Sequence, residues 1–218
     1  MPPPVVGIIG GGLLGSSIAY HLTRAMGGRA ASILLLEHQP VASCATAQSA
    51  GLLIQMNGEP AKCRTVGQTL CDIAELDLTG SQLQNGTLRL ASSAHERTAL
   101  ETEKEAFEAA CQAHSAEPLA RWIDAEEVST MLPWLNVEDN FIGAMHCKSD
   151  GVIDPQVLAG AYLRNAKANG AQVVRERCSK LELEWSDGSG AVHVRTDQSD
   201  KGESEKIVCD HVVVAAGL

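Results

Sequence analysis

A chain of 218 residues with 44% hydrophobic and 20% charged side chains can bury one or two cores, which excludes a peptide-scale or wholly disordered molecule. Its formal charge of -10 sets a negative field that repels nucleic acid and acidic membrane surfaces, so an anionic ligand must be held by local donors. Aromatic residues at 3% are too few for a base-stacking platform, and no apolar run approaches the ~20 residues of a membrane-spanning helix.

The start, Met1-Pro2-Pro3-Pro4, has neither a basic n-region nor an Arg-rich amphipathic pattern, so a cytoplasmic location is expected, with mitochondrial and peroxisomal ones left open. Val5-Val6-Gly7-Ile8-Ile9 is a continuous apolar run between prolines and glycines, as in a strand buried on both faces of a parallel sheet. Leu14, Ile18, Leu22 and Met26 then recur at helical spacing from Leu13 onward, and Gly27-Gly28 supplies a stop. Ser32 to Glu37 is a second buried strand. Beyond a loop of small residues ending at Gly51, the pattern predicts a helix over 61–78, a strand over 86–91 and a surface helix over 96–113. A short helix from Asp124 to Met131 has an Asp cap and closes before Pro133, and 141–147 reads as a strand. Asp154-Pro155 provides the cap and first-turn proline of a helix running to Asn169-Gly170. Residues 172–174, 180–185, 191–195 and 207–215 are strand-like, with the polar stretch 198–205 as the long loop of an exposed hairpin.

Gly10-Gly11-Gly12-Leu13-Leu14-Gly15 fits G-x-G-x-x-G, follows the first strand directly and opens the first helix. Gly10 permits the tight turn, Gly12 admits a diphosphate close to the backbone, and Gly15 allows close packing of helix on strand. The amides around Leu13 and Leu14 lie at the positive end of the helix dipole, where an anion is stabilised. Glu37 lies 22 residues beyond Gly15 at the end of the second strand, where a carboxylate accepts bonds from ribose hydroxyls and repels a 2′-phosphate. That combination favours FAD or NAD over NADP. His38 is a candidate neighbour of the same ribose.

The seven cysteines (44, 63, 71, 111, 147, 178, 209) have no C-x-x-C spacing, and the seven histidines show no metal pattern, so reduced thiols and no metal site are expected. Cys44 reads as an inert small residue. Arg89 could face a substrate, although a solvated strand arginine is the preferred reading.

From Val41 to Gly51 the chain is almost all small residues, directly after the ribose acid. Together with Ala50-Gly51-Leu52, Gly86-Thr87-Leu88-Arg89-Leu90-Ala91, Leu132-Pro133-Trp134-Leu135, Asp150-Gly151-Val152-Ile153-Asp154-Pro155 and Val212-Val213-Val214-Ala215-Ala216-Gly217, it resembles the D-amino-acid-oxidase-like flavoproteins. That family includes glycine and sarcosine oxidases and dimethylglycine dehydrogenase. The resemblance implies an α/β fold: a Rossmann-type FAD-binding domain with a parallel central sheet (1–80 and 150–218), and part of a second, mixed-sheet substrate domain (81–149). It implies that Ala45, Thr46, Ser49, Ala50, Gly51 and Leu52 pass along the cofactor, that backbone near Ser179 or Lys180 meets adenine, and that Ala215, Ala216 and Gly217 bring a strand end beside it. Gln48 stands where some members carry the histidine that attaches FAD, so noncovalent FAD is expected. The implied reaction is hydride transfer from a small amino acid or N-methylated amine to the flavin N5 atom. The catalytic residues and the electron acceptor stay unassigned. Because members of the family continue beyond the Ala-Ala-Gly strand, the chain is expected to be the front part of such an enzyme; a noncatalytic flavin-binding fragment and an NAD-dependent dehydrogenase are the alternatives.

Overall fold

The structure of the protein, a computed structural model, describes residues 4–27, 32–112, 120–135, 141–186, 189–197 and 204–217. β1 (Val5–Ile9), α1 (Leu13–Met26) and β2 (Ser32–Leu36) come first. They are followed by β3 (Leu52–Leu53), α2 (Pro60–Glu75), a 3-10 turn (Thr79–Ser81), β4 (Gln82–Leu83), β5 (Thr87–Ala91) and α3 (Ala94–Gln112). Next are β6 (Ala120–Asp124), α4 (Ala125–Met131), β7 (Gly143–Cys147), β8 (Gly151–Ile153) and α5 (Pro155–Ala168). β9 (Gln172–Val174), β10 (Arg177–Ser186), β11 (Ser189–Asp197), β12 (Ser204–Cys209) and β13 (His211–Val214) close the order.

These elements form two compact units, one made of the residues up to Ala50 with those from Asp154 onward, the other of Gly51–Ile153. The packing division therefore falls after Ala50 and after Ile153. Residues 51–80, expected with the first domain, supply β3 and α2, and α2 packs against α3 within the second unit.

In the first unit a parallel sheet runs in the order β13-β1-β2-β9. Burial on both faces explains why β1 and β2 are continuous apolar runs, with Ile8 and Leu35 fully enclosed. α1 ends at Gly27, whose φ of 51° in the left-handed region lets its N–H return to the Arg24 carbonyl. α5 starts on Pro155, capped by Asp154, whose carboxylate accepts the Gln156 N–H at 2.8 Å. The two helices pack on each other through small residues and a pair of tyrosines, Tyr20 and Tyr162, with ring centroids 5.1 Å apart.

β10, β11 and β12 form an antiparallel sheet that joins Val194 and Cys209 to Val5, Leu34, Leu36 and Val212 in one apolar cluster. Residues 207–215, expected as one strand, are two. Asp210 makes the break: its N–H donates to the Val5 carbonyl at 2.9 Å and its carboxylate accepts the Val5 N–H at 2.7 Å. The chain thus leaves β11 at Cys209 and joins β1 at His211.

In the second unit β5 and β6 flank β7, all antiparallel. One face packs Met145 and Ala91 with Leu100 and Phe107 of α3, and the other packs Ala144 and Ile123 with Val128 of α4. A smaller sheet orders β3, β8 and β4. Among the described residues no helix is long and apolar enough to cross a membrane.

Candidate functional site

The exit from β1 is a turn that tolerates almost no side chain. Gly10 has φ of 105°, and a Cβ there would lie 2.4 Å from the Ala215 carbonyl oxygen. A Cβ on Gly15 would lie 1.9 Å from the Gly10 carbonyl oxygen, so helix and strand approach as closely as the third glycine of the pattern predicts. Gly12 is the residue before α1, and a Cβ on it would meet the Thr46 hydroxyl at 3.1 Å. Backbone thus meets backbone at Gly10 and Gly15, and the Thr46 hydroxyl faces Gly12.

The charges around this turn are arranged in two parts. α1 has no acidic residue in its first turn and no side-chain cap from Gly12, so the positive end of its dipole is not neutralised there. The Leu13 N–H is held by the Thr46 hydroxyl at 3.0 Å, and Leu14 stays 63% exposed. Next to this end lies Glu37, with only 14% of its side chain exposed. One carboxylate oxygen accepts the Gly11 N–H and the other the Gln39 N–H, each at 2.8 Å. Each oxygen keeps a second lone pair for a further donor. His38 lies beside it, Nδ1 at 3.5 Å from the Glu37 carboxylate and about half exposed.

The small-residue loop is not a slack connection. Ser43, Ala47, Gln48 and Ser49 each donate an N–H to the carbonyl three residues earlier, giving successive turns that leave Ala45, Ser49 and Ala50 exposed. The loop is tied to the turn through Thr46 and through Ala42, whose N–H donates to the Gly11 carbonyl at 3.2 Å. The Cys44 thiol donates to the Gln39 side-chain oxygen at 2.9 Å. On the other side of the turn, the Ala215 N–H donates to the Ile9 carbonyl at 2.8 Å, with exposed Ala216 and Gly217 following. Gly10, Gly12, Leu13, Gly15, Glu37, His38, Thr46 and Ala215 are thus brought together around one turn.

Lys180 is placed differently. It lies on β10 with its ammonium 2.9 Å from Glu182, while Ser179 is the extra residue where the β10–β11 register shifts. Gly51 and Leu52 belong to the second unit, where the Gly51 carbonyl accepts the Ile153 N–H at 3.0 Å and Leu52 pairs with Val152 and is 58% exposed. Sequence reasoning missed Gly11, Gln39 and Ala42. The signal for Gly11 was the unbroken triplet of glycines, since a Cβ there would press on Glu37 Cγ at 3.0 Å.

In the second unit Arg89 is not a solvated strand arginine. Its guanidinium forms a two-pronged pair with the Glu103 carboxylate of α3, and both side chains are partly buried. They line an open cavity of about 480 Å³ with Ile54, Met56, Asn57 and Thr87. The polar centre of this unit is Asp150, fully buried, whose carboxylate accepts the Gln55 N–H at 2.7 Å and the Thr87 hydroxyl at 2.5 Å. Burial pushes the nearby Cys147 thiol up to about 11, which keeps it protonated and unreactive at neutral pH.

The model of the family described as FAD dependent oxidoreductase matches residues 6–218. Glycine oxidase of Bacillus licheniformis is 31% identical, with the match covering 97% of this chain and 53% of that protein. Mitochondrial sarcosine dehydrogenase of Homo sapiens is 30% identical over 89% of this chain and 21% of its own. Among solved structures, L-proline dehydrogenase from P. horikoshii superposes with a TM-score of 0.75 at 22% identity, over 99% of this chain and 53% of that one. Iminodiacetate oxidase from Chelativorans sp. BNC1 gives 0.66 at 26% identity, over 97% and 55%. The chain spans about half the length of the glycine oxidase and about a fifth of the sarcosine dehydrogenase.

Proposed function

Because this chain belongs to the family of FAD-dependent oxidoreductases, we propose that its first unit holds FAD noncovalently, as part of an enzyme that oxidises a small amino acid or N-methylated amine. The observation that carries the cofactor site is the junction of the α1 N-terminus with Glu37 through Gly11, one peptide unit joining a diphosphate-type cradle to a ribose-type carboxylate. The amides at Gly12 and Leu14 stabilise phosphate charge without a lysine or arginine, the Leu13 N–H being held by the Thr46 hydroxyl, which suits a chain of strongly negative charge. Glu37, fixed by Gly11 and Gln39, accepts hydrogen bonds from hydroxyls and repels a further phosphate. Thr46 offers a hydroxyl beside the cradle, and the small side chains at Ala45, Ser49, Ala50, Ala215, Ala216 and Gly217 keep backbone accessible along it. The adenine contact is assigned to backbone near Ser179 or Lys180, where the β10–β11 register shifts; the Lys180 ammonium, paired with Glu182, leaves that backbone contact unaffected. The expectation for Gly51 and Leu52 rests on the sequence.

When bound, FAD supplies the hydride-accepting chemistry, and the protein supplies position and exclusion of water. The substrate class is supported by the relatives, which are named for glycine, sarcosine and iminodiacetate. Gln48 cannot make the linkage that a histidine makes at that position, which supports noncovalent binding.

The test is reconstitution of the purified 218-residue chain with FAD, followed by gel filtration and denaturation. A yellow complex that releases FAD on denaturation is expected, with no saturable binding of NAD. Protein that stays colourless refutes the site, and a chromophore that remains on the denatured polypeptide refutes noncovalent attachment.

A further inference from the structure

Ala42 is buried and holds φ at 59°, in the left-handed region that costs a residue with a Cβ on the order of 1 kcal/mol. Such a conformation persists only where its surroundings hold it, and both backbone polar groups of Ala42 are held. Its N–H donates to the Gly11 carbonyl at 3.2 Å, and its carbonyl accepts the side-chain amide of Gln156 at 3.3 Å. Gln156 is 114 residues away in sequence, in the first turn of α5, with its own N–H fixed by the Asp154 cap at 2.8 Å. Gly11 in turn donates to Glu37, so a single chain of bonds runs from the start of α5 through Ala42 to the turn and the acid. Ala42 is also where the chain enters the loop 43–50. Among the described residues the Gln156 side-chain amide donates to the Ala42 carbonyl, and no hydrogen bond joins it to the glycine turn or Glu37.

We infer that Gln156 is a positioning residue for the cofactor: it locks the left-handed entry of loop 43–50 and so sets how that loop lies beside the dinucleotide. This inference rests on the flavin-binding reading above. It distinguishes two parts of the site. The turn at 10–15 and Glu37 are built by β1, α1 and β2 and do not need Gln156. The loop, with Ala45, Thr46, Ser49 and Ala50, does.

The experiment compares FAD with ADP, which carries the adenosine and diphosphate but no flavin, on wild type and variants. Gln156→Met keeps length and helix preference but removes the donor; Gln156→Glu sets a carboxylate against the Ala42 carbonyl. Losing one neutral hydrogen bond lowers affinity about fivefold. FAD binding should weaken by about that factor in Gln156→Met and further in Gln156→Glu, while ADP, which lacks the flavin half and meets the loop only at the diphosphate end, should lose less than FAD in both variants. Adding Ala42→Gly to Gln156→Met should restore most of the loss, because glycine adopts the left-handed conformation without being held. Equal losses for FAD and ADP, accompanied by a lower urea midpoint of the cofactor-free protein, would mean a merely structural role and overturn the inference. So would unchanged FAD affinity, or a failure of Ala42→Gly to rescue. Wild type that binds no FAD would instead reject the reading on which the inference stands, and the inference with it.

Discussion

Gly15→Ala sets two effects of known size against each other. Alanine is favoured over glycine inside a helix by about 1 kcal/mol, and Gly15 is the third residue of α1, so propensity alone predicts a gain. Against this, the added methyl would lie 1.9 Å from the Gly10 carbonyl oxygen, where ordinary contact begins near 3.4 Å. The obstacle is backbone, not the end of a flexible side chain, so α1 must move away from the β1 exit by roughly an ångström or more. Overpacking of this kind costs about 1–3 kcal/mol and can cost more when backbone must yield. The expected net result is a loss of about 1–2 kcal/mol in urea unfolding, with FAD affinity reduced because the cradle amides move with the helix. Gly67→Ala in α2 is the control, since nothing lies within 4 Å of its Cβ position; it should gain up to about 1 kcal/mol. If Gly15→Ala and Gly67→Ala raise the urea midpoint alike, the close approach of α1 to the turn is wrong.

Glu37→Gln removes the charge and turns one acceptor into a donor facing an N–H, so calorimetry should show FAD and ADP weakened together by about tenfold or more; unchanged affinity would remove Glu37 from the site. Asp150→Ala deletes the acceptor for the Gln55 N–H and the Thr87 hydroxyl in a fully buried position, and should cost about 2–4 kcal/mol in urea unfolding, with Asp150→Asn much milder. An Asp150→Ala protein as stable as wild type would contradict that network. The Cys147 thiol is raised by burial from 9.0 to about 11 in the fold, so the folded state favours the protonated form. Its contribution is complete below about pH 9 and is lost as pH rises toward about 11. Cys147→Ser should flatten the alkaline limb of a stability-versus-pH curve, and coincident limbs for the two proteins would count against the buried thiol.

The first strand, helix and strand were readable almost to the residue because pattern and punctuation agree there: an apolar run, three glycines, a 3.6-residue period and a second apolar run. β3, β4, β6 and β8 were not readable: β3 and β4 have only two residues each, and all four exist through antiparallel pairing with partners far along the chain. The split at Asp210 was hidden because its flanks, Ile207 to Cys209 and Val212 to Val214, are apolar on both sides, and only the bond to Val5 separates them. For the candidate site, the glycines and Glu37 followed from local order. Ala42 and Gln156 did not, because a left-handed alanine has no sequence signature and its partner lies in another helix. Arg89 was misjudged for a similar reason, as Glu103 sits 14 residues away on α3.

The central sheet has an uneven history during synthesis. β1 can pair with β2 within the first 36 residues, but its other neighbour, β13, begins only at His211. At translation rates of about 5–20 residues per second, one edge of β1 waits on the order of ten to forty seconds for its partner. Throughout that interval the nascent chain carries a bare hydrophobic rim, a natural landing place for a chaperone, and the insertion 51–153 must be made before the rim can be closed.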